Sequence, residues 1–299
     1  MASLPASLLE RLLSEDAPDG DLTTHALGIG AKPGVMEFRA RDSMAIAGVE
    51  IAADMIRQAG ADATVIAPSG ARAEAGALLL TATGPADALH RSWKAAQTLT
   101  EILSGIASAT RALVDAVESV NPAVRVACTR KTVPGARRLS MIAIRAGGAV
   151  PHRLGLSETI LVFPEHRVFL PGVGLKEIAA RLRREAPEKK LAVEVATAAE
   201  AQEAIEAGFD IVQLEKMTPA GVSAVRERRH ASQRRALLAA AGGITPSNAG
   251  DYVRAGAGLI VSSWPYTAKP ADVAVTIKAG GADSASPTPS AGSSSVCGS

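Results

Sequence analysis

Aromatic residues make up only 3% of the 299-residue chain, and cysteine occurs just twice. With 47% of residues hydrophobic, the core this composition predicts is large and mostly aliphatic. Cys128 and Cys297 lie far apart in the chain, so they supply no disulfide framework and suit a reducing compartment. An excess of one charge is lacking too: 32 Lys and Arg face 30 Asp and Glu, a net charge of +2 at pH 7. That balance carries no signature of a nucleic-acid-binding surface. No apolar run approaches the ~18 residues of a membrane span. The first residues carry Glu10, Glu15 and Asp16 and lack the basic-then-apolar pattern of a secretory signal. A cytoplasmic protein with neither nucleic acid nor membrane as partner is expected.

A chain of this length suggests about two domains. In its first hundred residues Leu4, Leu8, Leu9, Leu12 and Leu13 form a helical stripe, followed by a Pro-Asp-Gly-Asp turn at 18–21. Gly34 to Ala40 alternates like a half-buried strand, and short apolar runs at 63–67 and 77–83 predict two more. Pro85 opens a long helical region whose apolar face runs from Leu89 to Val117, with Gly105 expected to split it in two. From about Ala123 the texture changes. Apolar runs at Val124–Cys128, Thr159–Phe163, Leu191–Ala196, Ile211–Leu214, Ala236–Ala240 and Leu259–Ser262 alternate with amphipathic stretches at 174–185, 198–207, 218–230 and 246–255. Strands that are apolar throughout and alternate with helices indicate a parallel sheet. Six such units fit either an incomplete barrel or a doubly wound sheet. Beyond Gly280 the chain is Ser, Gly, Ala and Pro without periodicity, read as a disordered tail over 280–299.

Working groups in parallel α/β folds collect at the carboxyl ends of the strands. After the first predicted strand come Thr129-Arg130-Lys131, and after the second Pro164-Glu165-His166. Glu194 lies within the third strand and Glu215-Lys216 closes the fourth. Gly242-Gly243 follows the fifth and Ser262-Ser263 ends the sixth. Each cluster alone is most simply a solvated strand end. Together they put cations and carboxylates on one rim, the pattern of an anionic-substrate site. A glycine pair running into a helix at Pro246 leaves backbone N–H groups free to face a phosphate, with Ser262 and Ser263 beside it. His152 and Arg153, in a glycine-rich connection, suit a carboxylate or diphosphate. His166 with Glu165 lacks the ligand number of a zinc site, so a hydrogen-bonding role is expected.

At these residues the chain resembles the quinolinate (nicotinate-nucleotide) phosphoribosyltransferases. Leu103 to Ala107, LSGIA, is similar to a helix motif of that family. Cys128 to Gly135, CTRKTVPG, resembles its DTRKT-x-PG loop. GGAVPHRLGLSE at 147–158 is similar to its GGGVNHRLGLSD, and AGGI at 241–244 to its SGGI turn. The likeness runs from about residue 8 to 278. The departures are specific: Cys128 stands for the loop aspartate, Pro151 for the asparagine of NHR, Phe163 for the lysine of KDNH, Lys94 for an arginine and Glu215 for the aspartate of LDN. This combination resembles the ModD-type branch of paralogues associated with molybdenum-uptake genes.

The resemblance implies an α/β fold: an N-terminal α/β sandwich over 1–112, joined by 266–279, and an incomplete six-stranded α/β barrel over 113–265. It implies a pentosyltransferase that moves phosphoribosyl from phosphoribosyl diphosphate to a nitrogen heterocycle, releasing diphosphate, with Mg²⁺ as cofactor. In that reading Arg130, Lys131, Glu194 and Glu215 are catalytic. Lys94, Arg130, His152, Arg153 and Phe163 bind substrate, while Gly242, Gly243, Ser262 and Ser263 hold the phosphate. Glu194 and Glu215 are the candidate Mg²⁺ ligands. The implied assembly is a homodimer with a shared site into which Lys94 reaches from the partner. Two other readings stay open: a decarboxylating quinolinate enzyme of NAD biosynthesis, and a non-catalytic binding protein in molybdate uptake.

Overall fold

The leucine stripe winds into α1 (Ala6–Ser14), which buries Leu9 and Leu13. The structure, a computed structural model, describes residues 4–231 and 235–280; the tail beyond Gly280, with Cys297, lies outside the described residues. Asp21 caps α2 (Leu22–Ala26) by accepting from the Thr23 N–H at 2.9 Å. Its carboxylate also accepts from the Thr24 hydroxyl, which lies 2.6 Å from His90 Nδ1. His90, without a visible partner in the sequence, thus ties α2 to the long helix described below.

Strand β1 (Pro33–Ala40) alternates as its sequence does, burying Met36, Phe38 and Ala40. A two-residue ribbon pairs β2 (Met44–Ala45) with a later strand. The helix α3 (Val49–Ala59) buries seven of its residues and keeps Glu50, Asp54, Arg57 and Gln58 toward the surface, a polar stripe at helical spacing. Then come β3 (Asp62–Val65), β4 (Arg72–Ala73), which is the partner of β2, and β5 (Leu78–Pro85). The helix α4 (Ala86–Glu118) runs unbroken for 33 residues, against the expected split at Gly105. A Cβ on Gly105 would stand 2.2 Å from the Lys269 carbonyl oxygen and 3.0 Å from Pro270 Cα. The glycine is there to let another chain segment cross the helix, not to interrupt it.

The second half builds one sheet from β6 (Arg125–Cys128), β7 (Val150–Pro151), β8 (Ile160–Val162), β9 (Leu191–Val195), β10 (Ile211–Glu215), β11 (Leu237–Ala241) and β12 (Leu259–Ser262). Its order is β7-β6-β12-β11-β10-β9-β8, with every pairing parallel. From β8 to β12 each strand lies beside its predecessor, so the sheet winds in one direction. A doubly wound sheet reverses direction at its centre, so this is the incomplete barrel. It has seven strands where six were expected. The extra one, β7, is two residues long and held to β6 partly by the His152 N–H donating to Cys128 O at 2.8 Å. It is too short for an apolar run to reveal, and Pro151, with no N–H to give, fits an edge.

Helices α5 (Arg137–Ala146), α6 (Pro164–Arg167), α7 (Leu175–Glu185), α8 (Ala198–Ala207), α9 (Pro219–Ala231) and α10 (Pro246–Ala255) connect these strands. Inside the barrel Ala127, Ala239, Ala241 and Val261 form a small cluster of short side chains. The last strand, β13 (Val273–Ala279), leaves the barrel and pairs antiparallel with β1, from Gly34↔Ala279 to Ala40↔Val273. The N-terminal sheet is therefore ordered β13-β1-β5-β3. The helix α4 contributes Leu89 and Ala96 to the core under that sheet, and Leu103, Leu113 and Val117 to the core that continues into the barrel. No helix among the described residues is long and apolar enough to cross a membrane.

Candidate active site

The strand tips enclose a cavity of about 900 Å³. Arg130, Lys131, His152, Arg153, Phe163, Glu194, Glu215, Gly242, Gly243, Ser262 and Ser263 all line it, so the structure gathers every expected site residue but one. Lys94 is the exception. It sits on α4 beside a separate groove of about 740 Å³ with Leu12, Ile102 and Val133, its Nζ 4.5 Å from the Trp93 ring centre.

The seam between the edge strands β7 and β8 closes at their tips, where Arg153 Cζ lies 5.3 Å from the Phe163 ring centre. Phe163 stacks on His166, ring centres 5.9 Å apart, and its N–H donates to His166 Nδ1 at 2.9 Å. His166 thus has the hydrogen-bonding role expected of it: it caps α6 and fixes the aromatic wall. Arg153 is only 8% exposed, and no carboxylate within the described residues pairs with it. Burial, followed by the neighbouring Arg153 and Arg130 charges, pushes the His152 pKa below its ordinary 6.5. This end of the cavity is rich in cations, with Glu165 the carboxylate on its wall.

Carboxylates occupy the middle. Register places Gln213 beside Glu194 on adjacent strands, and Gln213 Nε2 donates to Glu194 Oε2 at 2.6 Å. Burial raises the Glu194 pKa first, and repulsion from Glu215 raises it further, against the Gln213 hydrogen bond. Two carboxylates close enough for one to raise the pKa of the other, in a half-buried cleft, suit a divalent cation. Mg²⁺ takes one or two carboxylates and leaves its other positions to phosphates and water. The charge has a cost that is testable without ligand. Glu194→Gln is expected to raise the Tm at pH 7–8, because a group whose folded pKa is raised destabilises the fold in its ionised form. The gain should fade as pH falls through the raised pKa toward 4.5, where Glu194 becomes neutral in both states. A pH series of melts on both proteins reads this, and a loss of Tm at pH 7–8 would contradict it.

At the other end, Gly242 and Gly243 adopt φ values of +90° and +71°. Asn248 secures the turn: its Oδ1 accepts from the Thr245 N–H at 2.9 Å and its Nδ2 donates to Gly243 O at 3.1 Å. Ser262 donates its hydroxyl to Ile244 O at 2.7 Å and accepts from the Trp264 N–H at 3.0 Å. Its hydroxyl is thus engaged in shaping the turn, which leaves the backbone amides and Ser263 to face a ligand. Gln213, Lys216 and Trp264 also line the cavity and were given no role from sequence. Gln213 had a signal, being the lone polar residue inside the apolar run Ile211–Leu214. Lys216 had its place at the end of the fourth strand, and Trp264 had none.

A glycine turn, a band of carboxylates and cations set against an aromatic ring at the tips of an open barrel are the layout of a transferase acting on phosphorylated sugars. The chain belongs to the quinolinate phosphoribosyl transferase family, whose C-terminal domain matches residues 106–276 and whose N-terminal domain matches 21–104. Within it the chain is similar to the candidate pyrophosphorylase ModD of Rhodobacter capsulatus, 47% identical over 248 residues, which is 83% of this chain and 95% of that protein. A candidate carboxylating nicotinate-nucleotide pyrophosphorylase of Methanothermobacter thermautotrophicus is 30% identical over 276 residues, 91% of this chain and 98% of that one. The nicotinate-nucleotide pyrophosphorylase of Francisella tularensis shares the fold: TM-score 0.82 at 23% identity, covering 92% of this chain and 98% of that one.

Proposed function

We propose that the protein transfers phosphoribosyl from phosphoribosyl diphosphate to the ring nitrogen of a heterocycle other than quinolinate. The observation that carries this reading is Arg153, a buried guanidinium without a counter-ion at the mouth of a cavity it shares with Arg130 and Lys131. A buried unpaired charge is costly, so the site is built to be completed by an anionic ligand. In the reaction the C1–O bond to diphosphate breaks as the acceptor's nitrogen lone pair forms the C1–N bond, and the electron pair leaves with diphosphate. Arg130, Lys131, His152 and Arg153 stabilise the charge that gathers on that leaving group. Glu194 and Glu215 hold the ribose hydroxyls or Mg²⁺, which bound there would neutralise phosphate charge. The Gly242–Gly243 turn holds the 5-phosphate at a fixed distance from the aromatic pocket.

The proposal includes a homodimer in the cytoplasm and an association with molybdenum uptake, the last carried by the likeness to ModD alone. The dimer is supported by Lys94, which is remote from its own cavity and lies in an apolar groove. Exposed apolar residues in the loops around β7 and α6, among them Leu156 and the 83% exposed Phe169, offer it a complementary face.

The acceptor is tested at Phe163. The family position holds a lysine able to face a substrate carboxylate; here there is a flat apolar wall. Wild-type protein is expected to convert quinolinate poorly, and Phe163→Lys to improve kcat/KM about tenfold, one charge-assisted contact worth ~1.4 kcal/mol. Diphosphate release from phosphoribosyl diphosphate across a panel of heterocyclic acids measures both. Wild-type turnover of quinolinate equal to that of an authentic quinolinate enzyme assayed alongside would overturn the proposed acceptor class.

A further inference from the structure

Lys216 is the one non-glycine residue with positive φ, +53°, among the described residues. Side chains avoid that left-handed region, and the strain persists where the surroundings impose it. Its N–H donates to Ala241 O at 2.8 Å, and its stem lies against Gly242, where an added Cβ would stand 2.6 Å from Lys216 Cγ. Glu215 Oε1 borders the same spot, 3.0 Å from such a Cβ, yet forms no ion pair with Lys216. The residue lines the cavity, and its ammonium has no partner among the described residues.

We propose that Lys216 is a phosphate-binding residue, a cation aimed by its left-handed backbone at the ligand's 5-phosphate on the Gly242–Gly243 turn. The proposal rests on reading that turn as the phosphate site. Position decides which phosphate it serves. Strand β10 neighbours β11, and the glycine turn follows β11, whereas Arg130 and Arg153 belong to the tips of β6 and β7, beyond β12. An ammonium is a point charge on a flexible stem and needs no fixed fork geometry to meet a phosphate oxygen. The class of ligand is a sugar carrying a phosphate monoester.

The test measures binding of ribose 5-phosphate and of pyrophosphate to the full-length protein, at low and high salt. Lys216→Asn removes the charge with a residue that tolerates the left-handed region. It should weaken ribose 5-phosphate about tenfold or more, with a smaller loss at high salt. Pyrophosphate affinity should stay within about twofold, and the Tm should not fall. Lys216→Arg should retain most of the sugar-phosphate affinity. The proposal is overturned if Lys216→Asn binds ribose 5-phosphate as the wild type does, or if it loses pyrophosphate alone. Wild-type protein that binds neither compound would instead overturn the reading of the turn on which the proposal rests.

Discussion

Gly242→Ala is expected to abolish the rise in Tm that phosphoribosyl diphosphate with Mg²⁺ confers on the wild-type protein. A ligand that binds only the folded state adds about 2.7 kcal/mol at a hundredfold excess over Kd. For a chain of 299 residues that is a shift of roughly 4 °C. Gly242 cannot take a side chain without disturbing the site. Its φ of +90° is hostile to alanine, and the Cβ would stand 2.9 Å from the Lys216 backbone nitrogen as well as 2.6 Å from the Lys216 stem. The stem can swing away but the backbone cannot, so β10 and the turn must separate and the amides lose their aim. Melts of each protein with and without ligand isolate this from any change in intrinsic stability. A full ligand shift in the alanine variant would remove the turn from the site.

The second large effect is on folding alone. Gly105→Ala should lower stability by about 3 kcal/mol, the upper range for overpacking a tight contact, and so lower the Tm by roughly 5 °C. Helix propensity by itself predicts the opposite, a gain of roughly 0.5–1 kcal/mol for alanine inside a helix. The two effects differ in sign, so one melt decides. The backbone at Lys269 and Pro270 passes over α4 at this point, and its carbonyl cannot give way without moving the chain that leads into β13. A stabilised Gly105→Ala protein would mean that the crossing segment yields freely.

The same residue explains where sequence reasoning succeeds and where it stops. Leu191–Val195 and Ile211–Glu215 were legible as strands because a parallel sheet covered on both faces demands continuous apolar residues. Gly105 was legible as unusual but misread, since a glycine inside a helical pattern has the same appearance whether it breaks the helix or admits a neighbour. The helix α3 was legible, its Glu50, Asp54, Arg57 and Gln58 spaced as a polar stripe, but went unread, whereas β7 was missed because two residues cannot show a period. The site was legible where chemistry and position coincide, at Arg130, Glu194 and Gly242. Lys216 was legible as a strand-end cation but not as a left-handed residue, because that backbone conformation depends on the tertiary turn at Gly242. The Ser262 hydroxyl pointed to a ligand in sequence, whereas in the fold it is committed to Ile244 and Trp264.

The pairing of β13 with β1 has a consequence for how the chain is made. On the ribosome Val273 emerges roughly 230 residues after Ala40, about 10–50 s later at ~5–20 residues per second. Through that interval β1 has one open row of backbone donors and acceptors, from Gly34 to Ala40, that β13 later fills. Unpaired strand edges template association with other chains. The sheet that holds β1 is therefore completed only after every strand of the barrel has been synthesised.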